Sequence, residues 1–343
     1  MEKRTRLLPS RTMAYYVMGL AMFSQSSYEE VMRMLLTSES WSSGRSPDWP
    51  VPTKAALVKA RARLGADPLR SLFAEVATPI AAPDDPRSFY RGWRLMSIDS
   101  ACLDVPNSPT NMAAFGTPST DDPASSPLPQ VQVLGLTETG TRSIVDAVVG
   151  GARDSDSVLA AELVPRIPKG ALVLAGSEYF PRALWMQASS RGSELLLRVT
   201  PERTLTVDEV HDDGSYRSRV PAGTQSGAAE VDAMDVRIIE PSSPDPQAGA
   251  GAYRLATTIL DPSRAPASEL AAIDAQRWEI ASAFDELKAH HLSPRVVLRS
   301  RDPDGVHQEV FGYLCVHFAI RWLLNSPWED NSDTGSGPRA GGH

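Results

Sequence analysis

Cysteine is scarce in this chain, with Cys102 and Cys315 the two in 343 residues. That excludes a disulfide-stapled scaffold and points to a reducing compartment, so a cytoplasmic protein is expected. Neither cysteine has a partner at metal-ligand spacing. Long apolar runs are missing as well. The apolar segment Met13–Phe23 falls short of the roughly 18 residues that a membrane helix needs, and no small-residue cleavage pattern follows it. No membrane partner is expected. A glycine-rich phosphate loop is also absent. Gly150-Gly151 reads as a strand-end turn without the spacing of a dinucleotide fingerprint. No internal repeat is visible.

What is present is an uneven charge. The net charge is −8, yet residues 1–70 carry 11 Lys+Arg against 6 Asp+Glu, and the remainder 23 against 36. An anionic partner such as DNA would favour the N-terminal region and avoid most of the rest, unless a local basic patch collects it. An ordinary solvated basic face explains the same numbers.

Residues 9–40 read as two helices, the second capped by Ser26 or Ser27 with Glu29 and Glu30 in its first turn. A third, Thr53–Leu64, carries Lys54, Lys59, Arg61 and Arg63. A fourth covers Leu69–Val76. Together they form a helical domain over 1–80, a candidate DNA-binding module. Ala81–Arg91 is a Pro/Asp-rich linker. Beyond it the pattern alternates: a strand Trp93–Ile98 ending on Asp99, a hairpin Val131–Thr137 and Ser143–Val149, a helix Ser155–Ile167, and a buried strand Ala171–Ala175. A helix Pro181–Arg191 and a strand Glu194–Val199 follow. This order predicts a mixed α/β sheet with flanking helices. The segment 201–265 reads as an inserted β-rich subdomain, with a turn at His211–Ser215. Ser268 opens a helix with a capping box, and Val306–Leu324 is a final aromatic-rich helix. The tail 327–343 has a disordered composition.

The Ser268 helix carries polar residues with a spacing of their own. Arg277 and Lys288 are eleven apart, three turns at about 3.6 residues per turn. Ala281 shares their face, so a methyl group sits at the centre of a cationic strip. Arg295, Arg299 and Arg301 extend it. Cations of this kind need no metal to bind DNA phosphates. His290-His291 fits a helix C-terminus facing the dipole. Cys102 has no neighbouring histidine to activate it, and Trp278, Phe284, Phe311, Tyr313 and Trp322 have core spacing.

Several stretches together resemble the DDE transposases of the IS-four insertion-sequence family. LLPSRTMAYYVMGLAMFSQSSYEEVMRML is similar to that family's N-terminal region. RLMSIDSACLDVPNSPTNMAAFG is similar to the segment around its first catalytic aspartate, and ALVLAGSEYFPRALW to that around its second. IDAQRWEIASAFDELKAHH with VLRSRDPDGVHQEVFGYLCVHFAIRWLL resembles its C-terminal signature. The resemblance spans about residues 5–326. It implies a ribonuclease-H-like core over 92–200 and 266–326, with a β insertion between. It also implies DNA as partner, and two divalent metals held by two aspartates and a glutamate. Such metals, about 3.5–4 Å apart, stabilise the attacking and leaving oxygens of an in-line displacement.

On this resemblance the first aspartate is Asp99, the one metal ligand retained. The second position is Gly176 and the glutamate position is Ala281, so two carboxylates are lost. The signature tyrosine is Asp274, while Arg277 and Lys288 remain. Glu178 stands two residues past the vacant aspartate position and is the candidate substitute. The expectation is a transposase-derived DNA-binding protein that needs no cofactor, with Mg²⁺ required only if activity survives. It would form a homodimer or assemble with related transposases, and associate with the nucleoid when bound to DNA. Two alternatives stay open: an active transposase with displaced carboxylates, and a repurposed fold whose pocket binds a small molecule or a protein.

Overall fold

The computed structural model describes residues 8–37, 51–118, 126–176, 182–200, 204–220, 234–241, 253–279 and 298–326. The N-terminal part comprises α1 (Ser10–Met22), α2 (Tyr28–Thr37), α3 (Lys54–Leu64) and α4 (Asp67–Val76). Local chemistry sets their ends. Thr53 caps α3 by accepting from the Ala56 N–H, and Gly65 ends it at φ 73°, a conformation that glycine adopts without strain. Met13, Tyr16, Val31, Met32 and Leu57 close a small core among α1, α2 and α3. These helices are not held apart from the rest. Val17 of α1 lies in the same apolar cluster as the last helix, and a Cβ on Gly312 there would meet the Val17 side chain at 3.0 Å.

The sheet begins with β1 (Phe89–Tyr90), inside the segment expected to be a linker, paired to β2 (Trp93–Asp104). Next come α5 (Pro109–Phe115), β3 (Gln130–Glu138), β4 (Ser143–Gly151), α6 (Asp156–Leu163) and a short 3-10 turn at Val164–Arg166. β5 (Ala171–Ala175), α7 (Arg182–Ser190) and β6 (Glu194–Val199) complete the first half. The order across the sheet is β4-β3-β2-β5-β6. β3 runs antiparallel to both β2 and β4, and β5 and β6 run parallel to β2. That is the ribonuclease-H-like arrangement.

The insertion does not form a separate layer. Its strands β7 (Glu209–Val210), β8 (Tyr216–Val220), β9 (Met234–Ile239) and β10 (Arg254–Thr257) continue the same sheet, β10 pairing antiparallel with β6. α8 (Ala267–Glu279) and α9 (Pro303–Asn325) follow. The expected tail 327–343 lies outside the described residues.

Alternation along β2 assigns its two faces. Met96 and Ile98 join the apolar layer under α6 and α7. On the other face Leu95 packs in the layer under α8, and Ala101 in the layer under α1, α4 and α9. Ser97 and Asp99 share this second face.

Candidate active site

Asp99 is not at a strand end, as expected, but in mid-strand, because β2 continues to Asp104. Its direct partner on β3 is Gly135, and its carboxylate accepts a hydrogen bond from the Ser97 hydroxyl at 3.1 Å. The parallel register on the other side pairs Ser97 with Leu174. β5 ends at Ala175, and Gly176 follows it directly, two residues beyond the last β2–β5 pair. From β5 to β6, Ala175 pairs with Leu197, and Arg198 is the next residue of β6. Asp99 on β2 and Arg198 on β6 therefore belong to the two strands that flank the end of β5, where Gly176 leaves the sheet.

Arg198 carries no family signature, and reading by motif overlooked it. Its Nε and Nη2 donate to one carboxylate oxygen of Asp274 at 3.0 and 2.8 Å. The guanidinium stacks 4.6 Å from the Tyr253 ring centroid. The pair is interior, with side-chain exposures of 14% for Arg198 and 0% for Asp274. Asp274, on α8, stands where the resemblance expects tyrosine.

Divalent magnesium or manganese requires several oxygen donors. At this end of the sheet Asp99 supplies a carboxylate, Gly176 supplies no side chain, and Arg198 is a cation paired with Asp274. Among the described residues no three His, Cys, Asp or Glu side chains converge as a metal-binding group. The described donors do not fit a pair of divalent ions. Glu178, Ala281, Lys288 and Arg295 lie outside the described residues, and Arg277 is placed by the α8 backbone alone.

The two basic groups separated in sequence meet in space. Lys54, Arg61, Arg299 and Arg301 line one cavity of about 490 Å³ between α3 and the start of α9, interleaved with Glu29, Asp302 and Asp304. The roles within the group differ. Arg61 is 6% exposed. It donates to Gln308, the Tyr28 hydroxyl, Ser300 and the Gly305 carbonyl, and it pairs with Glu309 at 3.3 Å. Arg299 donates to the carbonyls of Ser26 and Phe23, closing the α1–α2 turn. The guanidinium groups of both hold the N-terminal helices onto the core. Arg63 donates to the Leu8 carbonyl at 2.6 Å from an exposed position. Lys54, Lys59 and Arg301 are exposed.

Strand order and the helix laid across the sheet define a ribonuclease-H-like architecture. Residues 94–319 match the Transposase DDE domain family, and residues 1–74 match the Insertion element 4 transposase N-terminal family. The chain belongs to the DDE transposase family. It is 24% identical over 330 residues to the transposase InsG for insertion sequence element IS4 of Escherichia coli K12, covering 94% of this chain and 71% of the relative. Among solved structures, a piggyBac transposase synaptic complex with hairpin DNA aligns over 94% of this chain and 69% of its own, at 12% identity and a TM-score of 0.45. An endonuclease V from Streptomyces avermitilis aligns over 61% of this chain and 78% of its own, at 13% identity and a TM-score of 0.22. Neither structural likeness bears on the fold, which rests on the strand order itself.

Proposed function

We propose that this chain is a DNA-binding protein of the transposase lineage that no longer cuts or joins strands with metal ions. One observation carries the reading: Gly176, the residue directly after β5 at the end of the sheet nearest Asp99, has no carboxylate to offer. A two-metal mechanism needs anionic oxygens bridging and flanking both ions, and the strand position that would supply one holds no side chain. DNA binding is supported by the family, by the basic balance of residues 1–70 and by the exposed Lys54, Lys59 and Arg301. Phosphate contacts from such side chains persist without metal and weaken with salt. The protein acts in the cytoplasm as a homodimer or in assemblies with related transposases, where a subunit that binds ends without cutting them would inhibit active partners.

The test is an electrophoretic shift and a nicking assay on the same transposon-end duplex. The expected result is a metal-independent shift that fades at high salt, with no nicking in Mg²⁺ or Mn²⁺. Metal-dependent nicking abolished by Asp99→Ala would overturn the loss of catalysis. Absence of any shift at low salt would overturn the DNA-binding half.

A further inference from the structure

α3 turns one face to the core and the other to solvent. Leu57 and Ala60 pack in the small N-terminal core. Lys54, Ala55, Val58, Lys59, Ala62 and Arg63 are exposed. A solvated helix face commonly alternates both signs of charge, yet the α3 sequence KAALVKARARL holds no acidic residue. At about 100° per residue, Ala55, Val58 and Ala62 follow one another along a ridge of small side chains. Lys59 and Arg63 run along one side of that ridge. Lys54 runs along the other, the side where the exposed Arg301 joins the lining of the cavity between α3 and α9. Val58, on the ridge, is 46% exposed.

The carboxylates of that cavity already serve the chain. Glu29 accepts from the Lys54 N–H at 2.9 Å, Asp304 from the Ala66 N–H at 3.0 Å and Asp302 from the Gly305 N–H at 2.8 Å. They satisfy backbone donors at the starts of α3, α4 and α9 in turn, as acidic residues at helix N-termini do. The α3 cations are steered by uncharged groups. The Lys54 ammonium lies 5.6 Å from the Tyr28 ring centroid, and the Arg63 guanidinium donates to the Leu8 carbonyl. Both contacts leave the positive charge in place.

We propose that α3 is the helix that enters the major groove of bound DNA, with its ridge towards the base edges and its cations on the phosphates of both strands. A major groove about 12 Å wide admits an α-helix. Small residues on the ridge let the helix backbone come close to the bases, and cations on both flanks meet both walls of the groove. Val58 is the specificity-determining residue. Its side chain meets the 5-methyl group of a thymine, the apolar group that a base pair presents there. The 11 residues of α3 cover about 16 Å at 1.5 Å per residue, the rise of roughly five base pairs.

The inference rests on the DNA-binding reading, and the experiment tells the two failures apart. The full chain enriches binders from a duplex pool with a randomised centre at low salt; no recovery overturns both. Affinity for an enriched duplex is then followed by anisotropy at several KCl concentrations. Lys54→Gln/Lys59→Gln lowers the slope of log K against log salt by about 1.8, at 0.9 per phosphate contact, with the melting temperature unchanged. Lys54→Arg/Lys59→Arg keeps the slope. Exchange of thymine for deoxyuridine at one enriched position weakens the full chain about four-fold, the effect of one buried methyl-sized group, and leaves Val58→Ala unaffected. A duplex bound with an unchanged slope in the glutamine variant overturns the proposal while the DNA-binding reading stands. A lowered slope with no position at which deoxyuridine separates Val58→Ala from the full chain also overturns it, because α3 then touches the backbone alone. Unchanged DNA affinity in Val58→Glu with a smaller sedimenting species makes the face an interface between copies, and overturns it as well.

Discussion

Asp274 and Arg198 show how a single residue can define a site. Both charges are out of water, so the pair contributes little net stability, yet each depends on the other. Asp274→Asn or Asp274→Ala is expected to cost about 3–5 kcal/mol, because it leaves an interior guanidinium without its carboxylate. Replacing both with leucine should cost far less. Urea denaturation of the single and double variants checks this, and equal losses in both would refute the coupling. Arg61 makes the parallel case. With its guanidinium shared among Tyr28, Ser300, Gly305, Gln308 and Glu309, Arg61→Met should destabilise the chain by roughly 3 kcal/mol or more. A variant that melts normally but loses DNA affinity would instead restore Arg61 as a phosphate contact.

At the scale of elements, the helix carrying the family signature depends on the insertion. The spacing around Ser268 suggested a capping box, but α8 starts at Ala267, whose N–H donates to Asp213 on the β7–β8 turn at 2.9 Å. Asp213 also pairs with the fully buried Arg237 at 2.8 Å. Burial alone would raise its pKa; the Ser215 hydroxyl, the N–H groups of Ala267 and Ser215 and the charge of Arg237 bring it below the usual aspartate value. A depressed carboxylate stabilises above its unfolded pKa, and the contribution disappears as pH falls through the folded one. Asp213→Asn should therefore cost more than the ~1 kcal/mol of an ordinary cap at neutral pH, with the gap from wild type closing in strong acid. A pH-independent difference would contradict the assignment. His317 acts between α9 and the β3–β4 turn. Burial lowers its pKa to about 4, so the fold favours the neutral ring. Its stabilisation is present above the unfolded value of 6.5 and is lost as pH falls from there towards 4, an effect on the order of 3 kcal/mol. His317→Gln, measured by denaturation from pH 7.5 to 4, should flatten that slope.

Not every element was equally legible. Ala171–Ala175 and Glu194–Val199 match their expected bounds because short apolar runs inside a sheet have few alternatives. β2 reads as stopping at Asp99 because Asp99, Ser100 and Asp104 interrupt the apolar pattern; the pairing of Asp99–Asp104 with Gln130–Gly135 carries the strand on. α5 was missed because seven residues hold too little period, although Ser108 caps it and Pro109 starts it. The insertion joins the main sheet through Arg254 opposite Val199, a long-range pairing that no local pattern records.

Across the described residues, Asp99 lies on the sheet face that α8 covers, and a cavity opens between α3 and the start of α9. The cavity at α3 and α9 mixes both signs of charge and holds the N-terminal helices onto the core. The proposed function is binding of a polyanion without metal chemistry upon it. Calorimetric titration of Mn²⁺ into the full chain, alongside Asp99→Asn, tests that claim most directly. The account predicts no saturable binding that depends on Asp99 at millimolar metal; a saturable isotherm of two ions per chain, abolished by Asp99→Asn, would contradict it.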